Sequence, residues 1–109
     1  MNTNSEYAYP GTQLKLAIKF ESHENWVIGA LDYTVEAFTS ASSRIVFEKS
    51  DTIELDYDTF MVIVDTAKLS SGRLKLKVTF LIPDGDILPS QKRREVEIID
   101  TNIIIPPKI

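Results

Sequence analysis

A stretch of strict two-residue alternation in the second half of the chain constrains the fold more than any other feature. From Arg73 to Phe80 the sequence reads RLKLKVTF, with polar residues at odd positions and apolar residues at even positions. Successive side chains of a β-strand point to opposite faces, so this pattern predicts a strand with one buried and one solvated face. The apolar side continues to Ile82, and the turn-forming run Pro83-Asp84-Gly85-Asp86 ends it. The chain therefore contains a strand that lines a core.

The same period of two recurs along most of the chain. The segments that show it are residues 13–20, 33–38, 45–47, 53–57 and 93–105. Residues 60–64 are a compact apolar run, and residues 26–28 predict one more short strand. The only candidate for a helical turn is Asp65 to Gly72, with Asp65 or Thr66 as its cap. Seven or eight strands spaced by about 8–12 residues predict a β-sandwich or a small barrel.

Length and composition limit how the chain is organised. Its 109 residues predict one domain at residues 11–105, between a loose N-terminal tail at 1–10 and a short tail at 106–109. The chain has no cysteine, so disulfides and thiolate metal sites are excluded. A net charge of −4 argues against a nucleic-acid partner. The longest apolar run, residues 60–64, is far too short to cross a membrane, and residues 1–6 carry no signal peptide.

The alternation also predicts which side chains form the core. The predicted core consists of Leu14, Leu16, Ile18, Trp26, Val35, Phe47, Val62, Val64, Leu74, Leu76, Val78 and Phe80. The last strand changes phase between Ile98 and Ile99, which predicts a bulge or a switch of sheet.

A register that turns Val96 and Ile98 inward would place them beside residues 73–82. Leu76 would then lie opposite Val96, and Leu74 opposite Ile98. On the outer face, the same register pairs Lys75 with Glu97 and Lys77 with Glu95.

Candidate residues for chemistry are few, and each has a structural explanation. His23 is the only histidine and lies in a polar turn without partners that converge on it. Asp56 and Asp58 share a face if they lie on one strand, and paired carboxylates suit glycoside cleavage or calcium binding. Alternation with apolar residues also explains them as the solvated side of a half-buried strand or turn. Asp84-Gly85-Asp86 resembles the start of a calcium loop but lacks its glutamate, so a tight turn is favoured.

Aromatic residues offer a binding alternative. Trp26, Tyr33, Phe38 and Tyr57 would form a platform for sugar rings if they were exposed together, although aromatic residues more often fill small β cores. The sequence contains no glycine-rich phosphate loop, no Gly-x-Ser-x-Gly motif and no histidine–carboxylate cluster. We therefore expect no catalytic, cofactor-binding or metal-binding residues and no cofactor.

The stretch from Leu55 onward resembles a known family. LDYDTFMVIVDTAKLSSGRLKLKVTFLIPDGDILPSQKRREVEIIDTNIII is similar to the immunoglobulin-like N-terminal domain of the phage baseplate upper protein and to related prophage-encoded tail and fibre domains. The shared features are a strand, the hydrophilic turn VDTAKLSSG, a long alternating strand, a proline–aspartate loop and a final strand at Arg93-Arg94-Glu95-Val96. The earlier DYTVEAFTS also fits the family, and the resemblance covers about residues 12–105.

The resemblance implies an all-β fold, an antiparallel immunoglobulin-like β-sandwich of about seven or eight strands. It also implies a non-enzymatic virion protein of a tail, baseplate or fibre, made in the bacterial cytoplasm and acting through protein–protein contacts. Its expected partners are other tail or baseplate proteins or its own copies, with neither nucleic acid nor membrane. The alternative is a carbohydrate-binding or adhesion module with a glycan partner. An enzyme is the weakest of the three classes.

Overall fold

A computed structural model describes residues 6–8, 11–20, 31–83 and 92–107, and only the backbone of residues 6, 7, 83 and 92. These residues form two β-sheets that share one core, as in a β-sandwich, and all but one of the strand pairs are antiparallel. The strands are β1 Glu6–Tyr7, β2 Gln13–Lys19, β3 Asp32–Ser40, β4 Ser43–Glu48, β5 Ile53–Asp56, β6 Thr59–Asp65, β7 Gly72–Pro83 and β8 Lys92–Ile105. The predicted all-β architecture of packed sheets is confirmed. The predicted strand at residues 26–28 lies outside the described residues.

The five-stranded sheet has the order β1-β8-β7-β3-β4, and the three-stranded sheet has the order β2-β6-β5. β7 lies inside the larger sheet and pairs along its length with β8 and from Lys75 to Leu81 with β3. Its alternating residues Leu74, Leu76, Val78, Phe80 and Ile82 are all buried. The prediction from the alternation is therefore confirmed for the strand that suggested it.

The core draws on both sheets. The buried set that packs together is Ile18, Phe20, Leu31, Tyr33, Val35, Ala37, Phe47, Phe60, Val62, Val64, Leu69, Leu74, Leu76, Val78, Phe80, Ile82 and Ile105. Of the predicted core residues, Leu14 and Leu16 are only half-buried against this cluster, and Trp26 lies outside the described residues. The Tyr33 ring packs at a tilt against Phe60 of the other sheet, with 4.5 Å between the ring centroids, so an aromatic contact joins the two sheets.

The turn between β6 and β7 has the predicted cap. Thr66–Lys68 form one turn of 3-10 helix, and the Asp65 carboxylate accepts a hydrogen bond of 3.0 Å from the Ala67 N–H. Thr66 is fully buried, and its hydroxyl donates to the Thr12 carbonyl at 2.8 Å. A buried hydroxyl with a partner avoids the cost of an unsatisfied polar group.

The prediction of a loose tail at residues 1–10 does not hold for residues 6–8. β1 pairs in parallel with β8, with Glu6 opposite Ile103 and Tyr7 opposite Ile104. The Ala8 N–H then donates to the Ile104 carbonyl at 3.0 Å, and the small Ala8 side chain is buried. Backbone hydrogen bonding, which hydropathy does not report, holds this segment.

The predicted phase change in the last strand is wrong. Leu76 pairs with Ile99, and Val78 pairs with Glu97, so odd-numbered residues of β8 face the core side throughout. The irregularity instead falls at Thr101 and Asn102, two extra residues that keep Ile103 and Ile105 in phase with Ile99. Burying Ile105, of which 1% is exposed, sets this phase.

The expectation of a half-buried strand at residues 53–57 is also wrong. β5 is a four-residue strand whose side chains are all exposed, and Tyr57 follows it in a turn. Ile53 lies opposite Met61 on the outer face of the three-stranded sheet. Periodicity correctly predicted a strand but did not reveal that this strand lies beyond the edge of the core.

Candidate functional surfaces

The outer face of β8 exposes apolar side chains. Val96 and Ile98 are 50% and 61% exposed, and they are successive residues on one face of the strand. Their cross-strand neighbours on β7 are Thr79 and Lys77. The pairings of Lys75 with Glu97 and of Lys77 with Glu95, predicted from sequence, are therefore wrong. We call Val96 and Ile98 the β8 stripe.

The register instead places Glu36 among the basic residues of the five-stranded sheet. Glu36 lies opposite Lys77, and its carboxylate is 3.8 Å from the Lys77 Nζ and 2.9 Å from an Arg44 guanidinium nitrogen. Lys75 lies opposite Asp100 and Phe38. The charge of Lys77 is thus balanced locally by Glu36 and not by the predicted Glu95.

The three-stranded sheet has an apolar outer surface of its own. Ile53 and Met61 are directly opposite each other, and Ile63 is two residues further along the same face of β6. Ile53 is 46% and Ile63 is 39% exposed, and Met61 is half-buried. We call these three residues the β6 patch. Leu55 and Tyr57, at 52% and 64% exposed, extend apolar surface beyond it into the β5–β6 turn.

A shallow hollow of about 240 Å³ lies on the outer face of the five-stranded sheet. Its lining residues are Glu36, Phe38, Ser40, Ala41, Arg44 and Lys77. A half-buried aromatic ring lies there beside charged and hydroxyl groups. Such a surface can contact a polar ligand that has one apolar face.

The residues considered for catalysis do not assemble into a catalytic group in the described part of the chain. His23 and Asp84-Gly85-Asp86 lie outside it. Asp56 ends β5 while Asp58 lies in the turn, so they do not share the face of one strand. Asp56 accepts from the Tyr57 N–H at 2.8 Å, and Asp58 accepts from the Thr59 hydroxyl at 2.9 Å. Among residues 6–8, 11–20, 31–83 and 92–107, no three His, Cys, Asp or Glu side chains could together hold a metal ion.

The four aromatic residues considered for a sugar platform have different environments. Tyr33 is buried, its hydroxyl is 2.8 Å from the Thr52 hydroxyl, and burial raises its pKa. Trp26 lies outside the described residues. Phe38 is half-buried on the five-stranded sheet, whereas Tyr57 belongs to the turn of the other sheet. A platform that includes Tyr33 is therefore excluded.

The irregularity in β8 is held by side chains. Asn102 adopts φ 60°, and its N–H donates to the Asp100 carboxylate at 2.9 Å. An Arg73 guanidinium nitrogen lies 3.1 Å from the same carboxylate. The backbone hydrogen bond from Asn102, followed by the interaction with Arg73, lowers the pKa of Asp100. The Thr101 hydroxyl donates to the Leu74 carbonyl at 2.7 Å.

Sequence reasoning missed both exposed apolar surfaces, because an apolar residue in an alternating strand normally indicates the buried face. The one signal for the β8 stripe was the conflict between Val96 and Ile98 on even positions and Ile99, Ile103 and Ile105 on odd positions. That conflict has two explanations: either the strand changes phase, or one of the two sets of apolar residues is exposed.

Comparison of the chain with protein-family models, with curated proteins and with solved structures finds no match. Within the described residues, no helix has the length and apolar character needed to cross a membrane.

Proposed function

We propose that the chain is a non-enzymatic structural module of a phage or prophage particle, a component of the tail, baseplate or fibre that acts through protein–protein contacts. The observation that carries this proposal is the pair of exposed apolar surfaces on opposite sheets, the β8 stripe and the β6 patch. A partner that covers adjacent exposed apolar side chains removes apolar surface from water, which favours binding. A module with two such faces suits an assembly in which it has more than one neighbour.

The strand order supports an immunoglobulin-like sandwich. The order β8-β7-β3-β4 corresponds to strands G, F, C and C′ of that fold, and the order β2-β6-β5 corresponds to B, E and D. A buried aromatic residue on the third strand, Tyr33, packs between the sheets, where antibody domains have a tryptophan. The disulfide of antibody domains has no counterpart, since the chain contains no cysteine.

The environments of the charged side chains also favour a protein that acts through contacts over one that acts as an enzyme. The ion pairs of Arg44 with Glu36 and of Arg73 with Asp100 lie on exposed strand faces. Catalytic carboxylates and bases typically lie in clefts that shift their pKa values towards neutrality, whereas the pKa of Asp100 is shifted downward. Its interactions hold the backbone of β8 in place.

Fractionation of particles tests the proposal. Cells that carry the gene are induced to release particles, the particles are banded on a density gradient, and the chain is quantified against a major tail protein. We expect the chain to co-migrate with particles at a fixed ratio. Ile98→Lys should lower that ratio, and Lys68→Glu, an exposed change in the β6–β7 turn, should leave it unchanged. Recovery of the wild-type chain only in the soluble fraction would refute the proposal.

The hollow beside Phe38 carries a second candidate function, glycan binding. A sugar ring can stack on an aromatic side chain while its hydroxyls bond to groups such as those of Ser40 and Arg44. Glycan-array binding that is lost in Phe38→Ala and retained in Tyr57→Ala would support this function. No binding to any glycan by the wild-type chain would remove it.

A further inference from the structure

The two outer strands of the three-stranded sheet carry opposite charge. β2 contains Lys15 and Lys19 and no acidic residue, whereas β5 contains Glu54 and Asp56 and no basic residue. Within the described residues, β2 pairs only with β6, and so does β5. Each strand therefore presents one row of backbone hydrogen-bonding groups to which no described strand is paired.

We propose that copies of this chain associate head to tail, with β5 of one copy adding to β2 of the next. The inference rests on the proposed function and names one of its partners, a second copy. β2 and β5 both run antiparallel to β6, so they are parallel to each other and a copy in the same orientation can continue the sheet. The basic edge of one copy then meets the acidic edge of the next. Asp56 is the acidic residue on the face of the lysines, whereas Glu54 lies opposite Phe60 on the core side and adds to the negative charge of the edge.

The faces of the strands match as well. Asp56 lies opposite Thr59, and Thr59 lies opposite Lys19, so Asp56 and Lys19 are on the same outer face of the sheet. Lys15 is on that face too, opposite Ile63. In a continued sheet the Asp56 carboxylate would therefore lie on the same side as both ammonium groups of the neighbouring β2.

Apolar contacts would stabilise the junction in addition to the attraction between the charged edges. Leu55 and Tyr57 lie at the β5 edge and in the turn that follows, and both are more than half exposed. A neighbouring strand would remove part of that surface from water and extend the β6 patch across the junction. Main-chain hydrogen bonds provide affinity in strand addition, and side chains such as these determine which strand is accepted.

Such an assembly must curve. Strands in a sheet are about 4.8 Å apart, so three strands span roughly 14 Å and five span roughly 24 Å. When copies are joined edge to edge through the three-stranded sheet, their wider five-stranded sheets would collide in a straight row. They avoid each other only if the row curves with the three-stranded sheets on the inside. Because the contact joins two different edges, it produces a ring or a helical filament and not a two-fold dimer.

Charge reversal tests the junction. We expect sedimentation of the purified wild-type chain at low salt to show a mass that increases with concentration. The first variant, Lys15→Glu with Lys19→Glu, has two acidic edges. The second, Glu54→Lys with Asp56→Lys, has two basic edges. Each variant alone should need at least about tenfold higher concentration to associate, and a 1:1 mixture should associate again because unlike edges then meet.

The controls are Lys68→Glu and Glu97→Lys, exposed charge reversals outside both edges, which should associate like the wild type. Circular dichroism checks folding, and the single changes Lys15→Glu and Asp56→Lys replace any double variant that does not fold.

A wild-type chain that stays monomeric at all concentrations would overturn the proposal. Association that survives in the two-acidic-edge variant would also overturn it and would point to a contact that does not use β2, such as the β8 stripe. A monomeric chain that still co-migrates with particles would refute the self-association alone and leave the proposed function standing.

Discussion

Leu76 is at the centre of the core, with 2% of its surface exposed and with Ala37 and Ile99 as its cross-strand neighbours. Truncation to alanine leaves a cavity between the two sheets, and we expect Leu76→Ala to lower the free energy of unfolding by about 2–4 kcal/mol. Urea denaturation measures the change.

Leu55→Ala is the matched control, because the same atoms are removed from a side chain that is 52% exposed. We expect it to cost less than about 0.5 kcal/mol. Equal effects of the two substitutions would mean that Leu76 is not in the core.

Asp100 should contribute to stability in a pH-dependent way. Its pKa is lowered in the folded protein, so its contribution is fully present above the unfolded value and is lost as the pH falls through the folded value. We expect the difference in unfolding free energy between the wild type and Asp100→Asn to be largest near neutral pH and to shrink below about pH 4. Denaturation curves at several pH values give this difference. A difference that grows as the pH falls would contradict the assignment.

At the level of elements, the register of β7 against β3 has a direct electrostatic test. Glu36 and Lys77 lie opposite each other on the outer face, so Glu36→Lys and Lys77→Glu should each destabilise, and the double exchange should recover part of the loss. Surface pairs of this kind contribute about 0.2–1 kcal/mol. A double-mutant cycle in urea measures the coupling.

The matched control is the pair Lys75 and Glu97. These residues are not opposite each other, because Lys75 lies opposite Asp100 and Glu97 opposite Val78. Their cycle should show no coupling. Coupling between Lys75 and Glu97 would mean that β7 and β8 have the register first predicted from sequence. An absence of coupling between Glu36 and Lys77 would contradict the pairing of β3 with β7.

The sequence predicts a strand well when burial determines which residues face the core, and poorly when hydrogen bonds or the position in the sheet determine it. β7 was predicted fully, because it lies between two strands and has a core on one side, so hydropathy alone determines its faces. β8 was not, because two extra residues at Thr101 and Asn102 are held by hydrogen bonds to Leu74 and Asp100, which hydropathy does not encode. β5 shows a third case, a strand whose pattern is typical of a buried face but whose position at the sheet edge leaves it exposed.

At the level of the whole molecule, the candidate surfaces follow from the same distinction. The residues of the core were largely predictable, since buried positions in a strand are apolar and alternate with polar ones. The β8 stripe and the β6 patch were not, because an exposed isoleucine and a buried one look alike in a sequence. Only the pairing of strands distinguishes the two.

We also expect folding to be independent of metal. A bound ion that preferred the folded chain would raise its melting temperature, and removal of the ion would reverse that effect. Treatment with EDTA should therefore shift the melting temperature of the purified chain by less than about 1 °C, against a shift of about 4–8 °C for each kcal/mol in a domain of this size. If EDTA lowered the melting temperature by several degrees, the result would indicate calcium binding at Asp56 and Asp58 or at Asp84-Gly85-Asp86.

The parallel pairing of β1 with β8 determines how the molecule would bear a mechanical load. Tension between the two ends of the chain pulls β1 towards its start and β8 towards its end, in opposite directions along paired strands. Their hydrogen bonds are then loaded in shear and resist together, whereas antiparallel ends of a hairpin would unzip one bond at a time. Ala8→Pro removes the N–H that bonds to Ile104. We expect single-molecule pulling to show a proportionally larger drop in unfolding force than urea denaturation shows in stability, so this short junction would act as a mechanical clamp.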